Sequence, residues 1–319
     1  MAARQALPSA LVPPHHAPET KCAIAPGDSP TLARAVTAGG GRLVGPADAE
    51  ALVWTDPSDA EGLARVLEGS PGLRWVQLPF AGVDHFASVI DAGRTWTSAK
   101  GAYAEPVAEH ALALGLAGLR RLPMRARTRS WGPAAGRRLM GGRVTLVGGG
   151  SITCALLDLL VPFGVEATVV RRHVAPLPGA ARVVGPDSLR EALPGATLVV
   201  LALALTPETT GLVGAEELAL MDGDAWLVNV ARGAHVVTDD LVAALDAGTI
   251  GGAALDVTDP EPLPDGHPLW ALDNCLVTPH VANTWEMAEP LLAERVRANV
   301  ERWGRGEALL GLVDPDLGY

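Results

Sequence analysis

Apolar positions recur along the chain in two rhythms. Short apolar runs alternate with segments whose apolar residues return every three to four positions. Between "KCAIA" and "TWTSA" the runs predict strands near Cys22–Ala25, Arg42–Val44, Ala51–Trp54 and Arg74–Leu78. Helical spacing falls near Pro30–Thr37, Ala60–Leu67 and Val83–Ala92. Strands that alternate with helices imply a parallel sheet covered on both faces. "EPVAEHALALGLAGLRRL" then reads as one long helix, its arginines in the last turn, joining two α/β units. After a loop, "WGPAAGRRLMGG", a second series predicts strands at Val144–Val147, Glu166–Val170, Thr197–Ala202, Trp226–Asn229, Gly252–Leu255 and Cys275–Thr278. "EMAEPLLAERVRANVERWGRGEAL" predicts a final amphipathic helix that packs back on the first unit.

Composition narrows the function. At 319 residues the chain has room for two ordinary domains, and 48% hydrophobic against 19% charged residues permits a large core. The net charge of −11 argues against broad nucleic-acid or anionic-membrane binding, while leaving room for a small anion held by a few arginines. No apolar run approaches the roughly 18 residues needed to span a bilayer. The opening "MAARQALPSALVPPHHAPET" lacks the apolar core of a signal peptide and reads as a proline-rich tail. Three scattered cysteines, Cys22, Cys154 and Cys275, suit buried thiols in a reducing, cytoplasmic setting. The histidines show no metal-ligand spacing, so no metal is expected, and His110 reads as structural.

The chemistry begins at "VTLVGGGSITCALLDLL". In a strand–turn–helix unit the first glycine permits the tight turn and the second lets backbone approach a pyrophosphate. Gly148 and Gly150 fill those places, and Ser151 and Ile152 open a helix whose N-terminus attracts phosphate. Thr153 stands where a third glycine would allow close helix–strand packing; on that pattern, Thr153→Gly should preserve or tighten cofactor binding. Two other readings stay open on this stretch: a nucleophile elbow around Ser151, and a turn with structural work alone. About twenty residues on, where NAD sites carry an acid, the chain has Arg171 and Arg172. Arginines there attract a 2′-phosphate and favour NADP(H), unless they are only a solvated loop.

Four further stretches are "LPFAGVDHF", "YAEPVAEHALAL", "LTPETTGLVGAEELALMDGDAWLVNVARGAHV" and "AALDVTDPEPLPDGHPLWALDNCLVTPHVANT". With the glycine turn, they resemble the D-isomer-specific 2-hydroxyacid dehydrogenases over roughly residues 75–300. In cofactor-site features they are most similar to the NADP-using glyoxylate and hydroxypyruvate reductase branch. The resemblance implies two Rossmann-like α/β domains, each a parallel sheet with helices on both faces, and an active site in the cleft between them. The substrate-binding domain would take 1–98, completed by 286–319, and the dinucleotide-binding domain 99–285. It implies a catalytic trio of Arg232, Glu261 and His280. Reduction of a 2-keto acid needs a hydride at carbon and a proton at oxygen, and a histidine suits the proton near neutral pH. A neighbouring carboxylate orients the imidazole, and an arginine holds the substrate carboxylate and polarises the carbonyl.

By the same resemblance, Phe80, Ala81 and Gly82 join Arg232 in holding substrate. Thr206, Val230, Ala231 and Asp256 line the cofactor pocket, with Asp256 at the nicotinamide carboxamide. Phe80, Tyr103 and Trp285 suggest an apolar or modest substrate side chain, unless Arg129, Arg137 or Arg138 reaches the site. NADP(H) is the expected cofactor, with NAD(H) possible, and a homodimer the expected assembly. Ala204 departs from the proline many members carry beside the cofactor. A nucleotide-sensing corepressor with little turnover is the alternative function that this resemblance leaves open.

Overall fold

The computed structural model describes residues 19–314. His15, His16 and the proline-rich opening lie outside them. The described residues divide into two compact units, one of 19–79, 83–98 and 292–314, the other of 80–82 and 99–291.

In the first unit, strands β1 (Thr20–Ala25), β2 (Gly41–Leu43), β3 (Ala51–Trp54), β4 (Trp75–Gln77) and β5 (Thr95–Thr97) form a wholly parallel sheet in the order β2-β1-β3-β4-β5. Helix α1 (Pro30–Ala38) starts where its sequence says it should. The Ser29 hydroxyl accepts from the Leu32 amide at 3.0 Å, and Pro30 takes a first-turn place that needs no amide donor. Helix α2 (Ala60–Glu68) is capped likewise by Asp59, which accepts from the Gly62 amide at 2.7 Å. Leu52, Trp54, Leu63, Val76, Leu78 and Trp96 make the buried core.

The expected helix at Val83–Ala92 is absent; only Asp84–Phe86 makes one 3-10 turn. Its apolar residues are nevertheless used, with Val83 and Phe86 buried and Val89 and Ile90 half-buried. Local polar bonding outcompetes helix: the Asp91 carboxylate accepts from the Gly93 amide and pairs with Arg94, and the Asp91 carbonyl accepts from the Trp96 indole.

The second unit begins with α3 (Ala104–Leu119) and α4 (Leu122–Arg127). The single long helix expected here breaks at Arg120–Arg121, Arg121 taking a left-handed φ of 54°. Its guanidinium does not serve a helix end. It donates to the Gly251 carbonyl at 2.8 Å and lies over the Trp226 ring.

The sheet that follows contains β6 (Arg143–Val147), β7 (Glu166–Val170), β8 (Arg182–Val184), β9 (Leu198–Leu201), β10 (Trp226–Asn229), β11 (Gly252–Leu255) and β12 (Cys275–Val277). Helices α5 (Ser151–Leu160), α6 (Leu189–Ala192), α7 (Ala215–Leu220) and α8 (Thr238–Asp246) connect them. All neighbours are parallel, in the order β12-β11-β10-β9-β6-β7-β8. Counted from β6 as first strand, this is the 3-2-1-4-5-6 order of doubly wound dinucleotide folds with one strand added. Along β9 alternate residues enter opposite cores, Val199 and Leu201 on one face, Leu198 and Val200 on the other. Burial on both faces explains why these strands read as unbroken apolar runs.

The chain closes with α9 (Trp285–Gly304). From Leu292 onward it belongs to the first unit, as its apolar pattern predicts. There the buried Asn299 amide donates to Gln77 at 3.0 Å, and Trp303 stacks on Trp75. Cys22 and Cys275 are buried, and desolvation pushes both thiols up to about 12. Cys154 is exposed on α5, against the expectation of three buried thiols. Among the described residues no helix is long and apolar enough to cross a membrane, and no His, Cys, Asp and Glu cluster is suited to a metal ion.

Candidate active site

The glycine turn lies between β6 and α5, next to the point where the strand order reverses between β6 and β9. Ligands of open α/β sheets gather at such a point. Gly148 has a φ of 110°, and a Cβ there would sit 2.1 Å from the Ala202 carbonyl oxygen, so no other residue fits. Gly150 differs. Its φ is −86°, and a Cβ would meet nothing within 4 Å. The fold itself does not demand glycine there; the open space above the N-terminus of α5 is a cradle that a side chain would fill. Backbone amides with that space before them suit a pyrophosphate.

Arg171 follows β7 directly and lies across the turn. Its stem would meet a Cβ on Gly149 at 2.3 Å, and its guanidinium donates to the His173 carbonyl at 2.5 Å and to the Gly149 carbonyl at 3.4 Å. The Thr206 hydroxyl, then the residue's own amide, and last the charge of exposed Arg172 hold the Glu208 carboxyl below its ordinary range. The glycine turn, both arginines and the Thr206 loop therefore form one neighbourhood, and its amides suit the pyrophosphate of a dinucleotide.

His280 and Glu261 are brought together. The imidazole Nδ1 lies 2.6 Å from Glu261 Oε1, with both side chains about half exposed. Glu261 Oε2 also accepts from the Thr258 amide at 3.4 Å. His280 has a left-handed φ of 54°, a conformation uncommon outside glycine and held here by its surroundings.

Those surroundings centre on Asp256, only 2% exposed. Its carboxylate accepts from the Thr278 hydroxyl at 2.6 Å and from the amides of Val281 and Ala282 at 2.9 and 3.0 Å. Its backbone carbonyl accepts from the His280 amide at 2.8 Å. His110 Nε2 stands 3.3 Å from the carboxylate and 3.1 Å from the Thr278 hydroxyl. Burial pushes the Asp256 carboxyl up, but hydrogen bonds from His110, Thr278, Val281 and Ala282 outweigh it and hold the group below its ordinary value. Asp256, expected at the nicotinamide carboxamide, also shapes the His280 loop through these bonds.

Arg232 sits on the loop after β10, and Asn229 fixes that loop. The fully buried Asn229 amide donates to the Arg232 carbonyl at 2.8 Å and accepts from the Ala231 amide at 3.0 Å. The next residue, Gly233, lets this loop pack on the one bearing Glu261, because a Cβ there would lie 2.0 Å from the Thr258 carbonyl carbon. Val230 and Ala231 are buried beside it. Phe80 meets Tyr103 edge-on at 6.2 Å, and its carbonyl accepts from the Ala99 amide. Of the arginines left open by sequence, Arg137 pairs with Asp224.

Two positioning residues escape sequence reading, Asn229 and His235. Asn229 stands inside the "NVARG" block that draws attention to Arg232. His110, expected to be structural, braces Asp256 and Thr278. His235, fully buried, points Nδ1 at the Thr209 carbonyl (2.9 Å) and Nε2 at the Leu203 carbonyl (3.3 Å), tying the Thr206 loop to the Arg232 loop. Burial, and secondarily the charge of Arg232, keep this imidazole below its ordinary pKa against the pull of the two carbonyls.

Known proteins resemble this chain in sequence and in fold. Residues 111–282 match the model of the D-isomer specific 2-hydroxyacid dehydrogenase NAD binding domain. The chain is 41% identical over 258 residues to an uncharacterized protein in the proB 3'region of Corynebacterium melassecola, covering 77% of this chain and 84% of that one. It is 34% identical over 189 residues to glyoxylate/hydroxypyruvate reductase A of Klebsiella pneumoniae strain 342, spanning 59% and 60% of the two chains. A D-isomer specific 2-hydroxyacid dehydrogenase of Xanthobacter autotrophicus, solved with NADPH and MES, superposes with a TM-score of 0.81 at 30% identity, covering 94% of this chain and all of that one. A strand order built for dinucleotides, a glycine cradle and a His–Glu pair on loops braced by Asp256 thus coincide with family likeness: the chain belongs to the D-isomer specific 2-hydroxyacid dehydrogenases, a family of NAD(P)-dependent oxidoreductases.

Proposed function

We propose that this protein reduces a small 2-keto acid to the D-2-hydroxy acid, with NADP(H) preferred and NAD(H) possible. The observation that carries this reading is the 2.6 Å contact between His280 and Glu261 on a loop shaped by Asp256. When bound at the glycine turn, NADPH would supply the hydride for the keto carbon. The residues of the chain do the rest. His280, its Nδ1 engaged by Glu261, presents Nε2 as the donor of the proton that completes the hydroxyl. Arg232 holds the substrate carboxylate and polarises the carbonyl, and backbone at Ala81 and Gly82 shares the carboxylate, with Phe80 beside them. The amides of Gly150, Ser151 and Ile152 receive the pyrophosphate, while Arg171 and Arg172 receive the 2′-phosphate. Thr206, Val230 and Ala231 line the cofactor pocket. The solved relative's complex with NADPH supports the cofactor preference, and the Klebsiella reductase supports a small substrate. The protein works as a homodimer in the cytoplasm, a state that light scattering of the purified protein tests.

Steady-state kinetics of His280→Ala and Arg232→Ala test the assignment. Each should lower kcat/KM by at least about a hundredfold, the range of lost acid–base or carboxylate-binding groups. Turnover within a few-fold of the parent in either variant would sink that residue's role.

A further inference from the structure

Thr153 occupies the place where sequence expects a third glycine, and its side chain has work of its own. It is 1% exposed, and its hydroxyl donates to the Gly148 carbonyl at 2.9 Å. The Gly148 amide donates to the Val170 carbonyl at 2.8 Å. Both polar backbone groups of the residue that makes the turn are thereby pinned, at a φ only glycine adopts readily. The first amide bonded within α5 is that of Cys154, which donates to Gly150 at 3.1 Å. The amides before it are the ones a helix start leaves for a ligand. Their directions follow from the turn that Thr153 holds. A glycine at 153 would release the Gly148 carbonyl and add backbone freedom to the first turn of α5.

We propose that Thr153 is a positioning residue of the cofactor turn: its hydroxyl bond to Gly148 presets the amides that receive the pyrophosphate of NADP(H), so the motif-restoring change Thr153→Gly weakens cofactor binding. This reverses the expectation from the motif, and it rests on the cofactor reading above. The substitution that matches the family pattern removes a hydrogen bond that this chain relies on.

Three variants separate the hydroxyl from the shape. Thr153→Ser keeps the donor, Thr153→Val keeps the shape without it, and Thr153→Gly removes both. NADPH affinity is read by fluorescence titration, and the cofactor-free proteins are compared by amide hydrogen exchange over the peptide spanning 148–154. Loss of one buried hydrogen bond should weaken NADPH binding about three- to tenfold in the Val and Gly variants. The Ser variant should stay within about twofold of the parent, and kcat at saturating NADPH should hold in all three. Exchange in the cofactor-free protein should quicken with Val and Gly and not with Ser. NADPH binding by Val or Gly as tight as the parent's, or unchanged exchange in both, overturns the proposal while leaving the cofactor reading intact. A parent that binds no NADPH overturns the cofactor reading, and this proposal with it.

Discussion

Asp256→Asn is the change that most directly probes how the His280 loop is held. The carboxylate offers acceptors to Thr278, Val281, Ala282 and His110, all between 2.6 and 3.3 Å. A carboxamide of the same size has one acceptor oxygen and one donor nitrogen. Whichever way it turns, its NH2 faces a backbone amide, of Val281 or of Ala282, and that donor is left buried without a partner. An unsatisfied buried donor costs about 1–3 kcal/mol, and the remaining bonds lose their charge assistance, so about 2–4 kcal/mol is expected in total. At roughly 2–4 °C per kcal/mol for a domain of this size, the melting temperature of the second unit should fall by roughly 4–16 °C. Because the His280 amide donates to the same residue's carbonyl, the loop shifts as well. A displacement of about 1 Å at a reacting group costs on the order of a hundredfold in rate. Calorimetry and steady-state kinetics should therefore show a lower melting transition and kcat reduced roughly ten- to a hundredfold, with NADPH affinity little changed. A variant with kcat within threefold of the parent and an unchanged melting transition would refute the bracing role.

Three further outcomes follow from the same contacts. Gly148→Ala places a methyl 2.1 Å from the Ala202 carbonyl oxygen at a φ of 110°; it should destabilise the second unit by about 2–4 kcal/mol and abolish NADPH binding, read by melting and titration. Arg171→Asp should swing the NADPH-to-NADH preference toward NADH by at least about tenfold in kcat/KM, since it exchanges an attracting charge for a repelling one; improved use of NADPH would contradict the arginine assignment. Burial holds the His235 imidazole below its ordinary pKa in the folded protein, while the unfolded chain takes a proton near its ordinary value of about 6.5. Stability should therefore decline as pH falls below about 6.5 toward the folded value, and Asp256, held below its ordinary value, should add a second loss below about pH 4. Melting curves from pH 8 to 2 should show His235→Asn flattening the first decline and leaving the second.

The strands of the second sheet could be read almost residue by residue because they are buried on both faces. Runs such as "LVVL" and "WLVN" admit few other structures. The two strands that sequence missed, β5 and β8, have three residues each and lie at sheet edges, and so short a stretch carries little periodic signal. The false helix at Val83–Ala92 had the right apolar spacing; what sequence could not weigh was the preference of Asp91 for its own loop. The site was legible where a motif places a side chain, as for His280 and Glu261. It was illegible where distance in sequence hides contact: His110 and Thr278 are 168 residues apart, and Asn229 and His235 act through backbone carbonyls that no side-chain pattern reports. Thr153 shows the converse, a departure from a motif that reads as a flaw until its hydroxyl is seen on Gly148.

The central claim is that this site moves a hydride from a nicotinamide to a 2-keto acid, with NADPH ahead of NADH. The most direct test is nicotinamide oxidation by the purified protein, followed by absorbance, with glyoxylate, hydroxypyruvate, pyruvate, phenylpyruvate and branched 2-keto acids, each paired with NADPH and with NADH. The account predicts turnover of at least one of these acids, faster with NADPH, and D configuration in any chiral hydroxy acid formed. Tight NADPH binding without turnover of any of them would contradict it and point to a nucleotide-sensing protein instead.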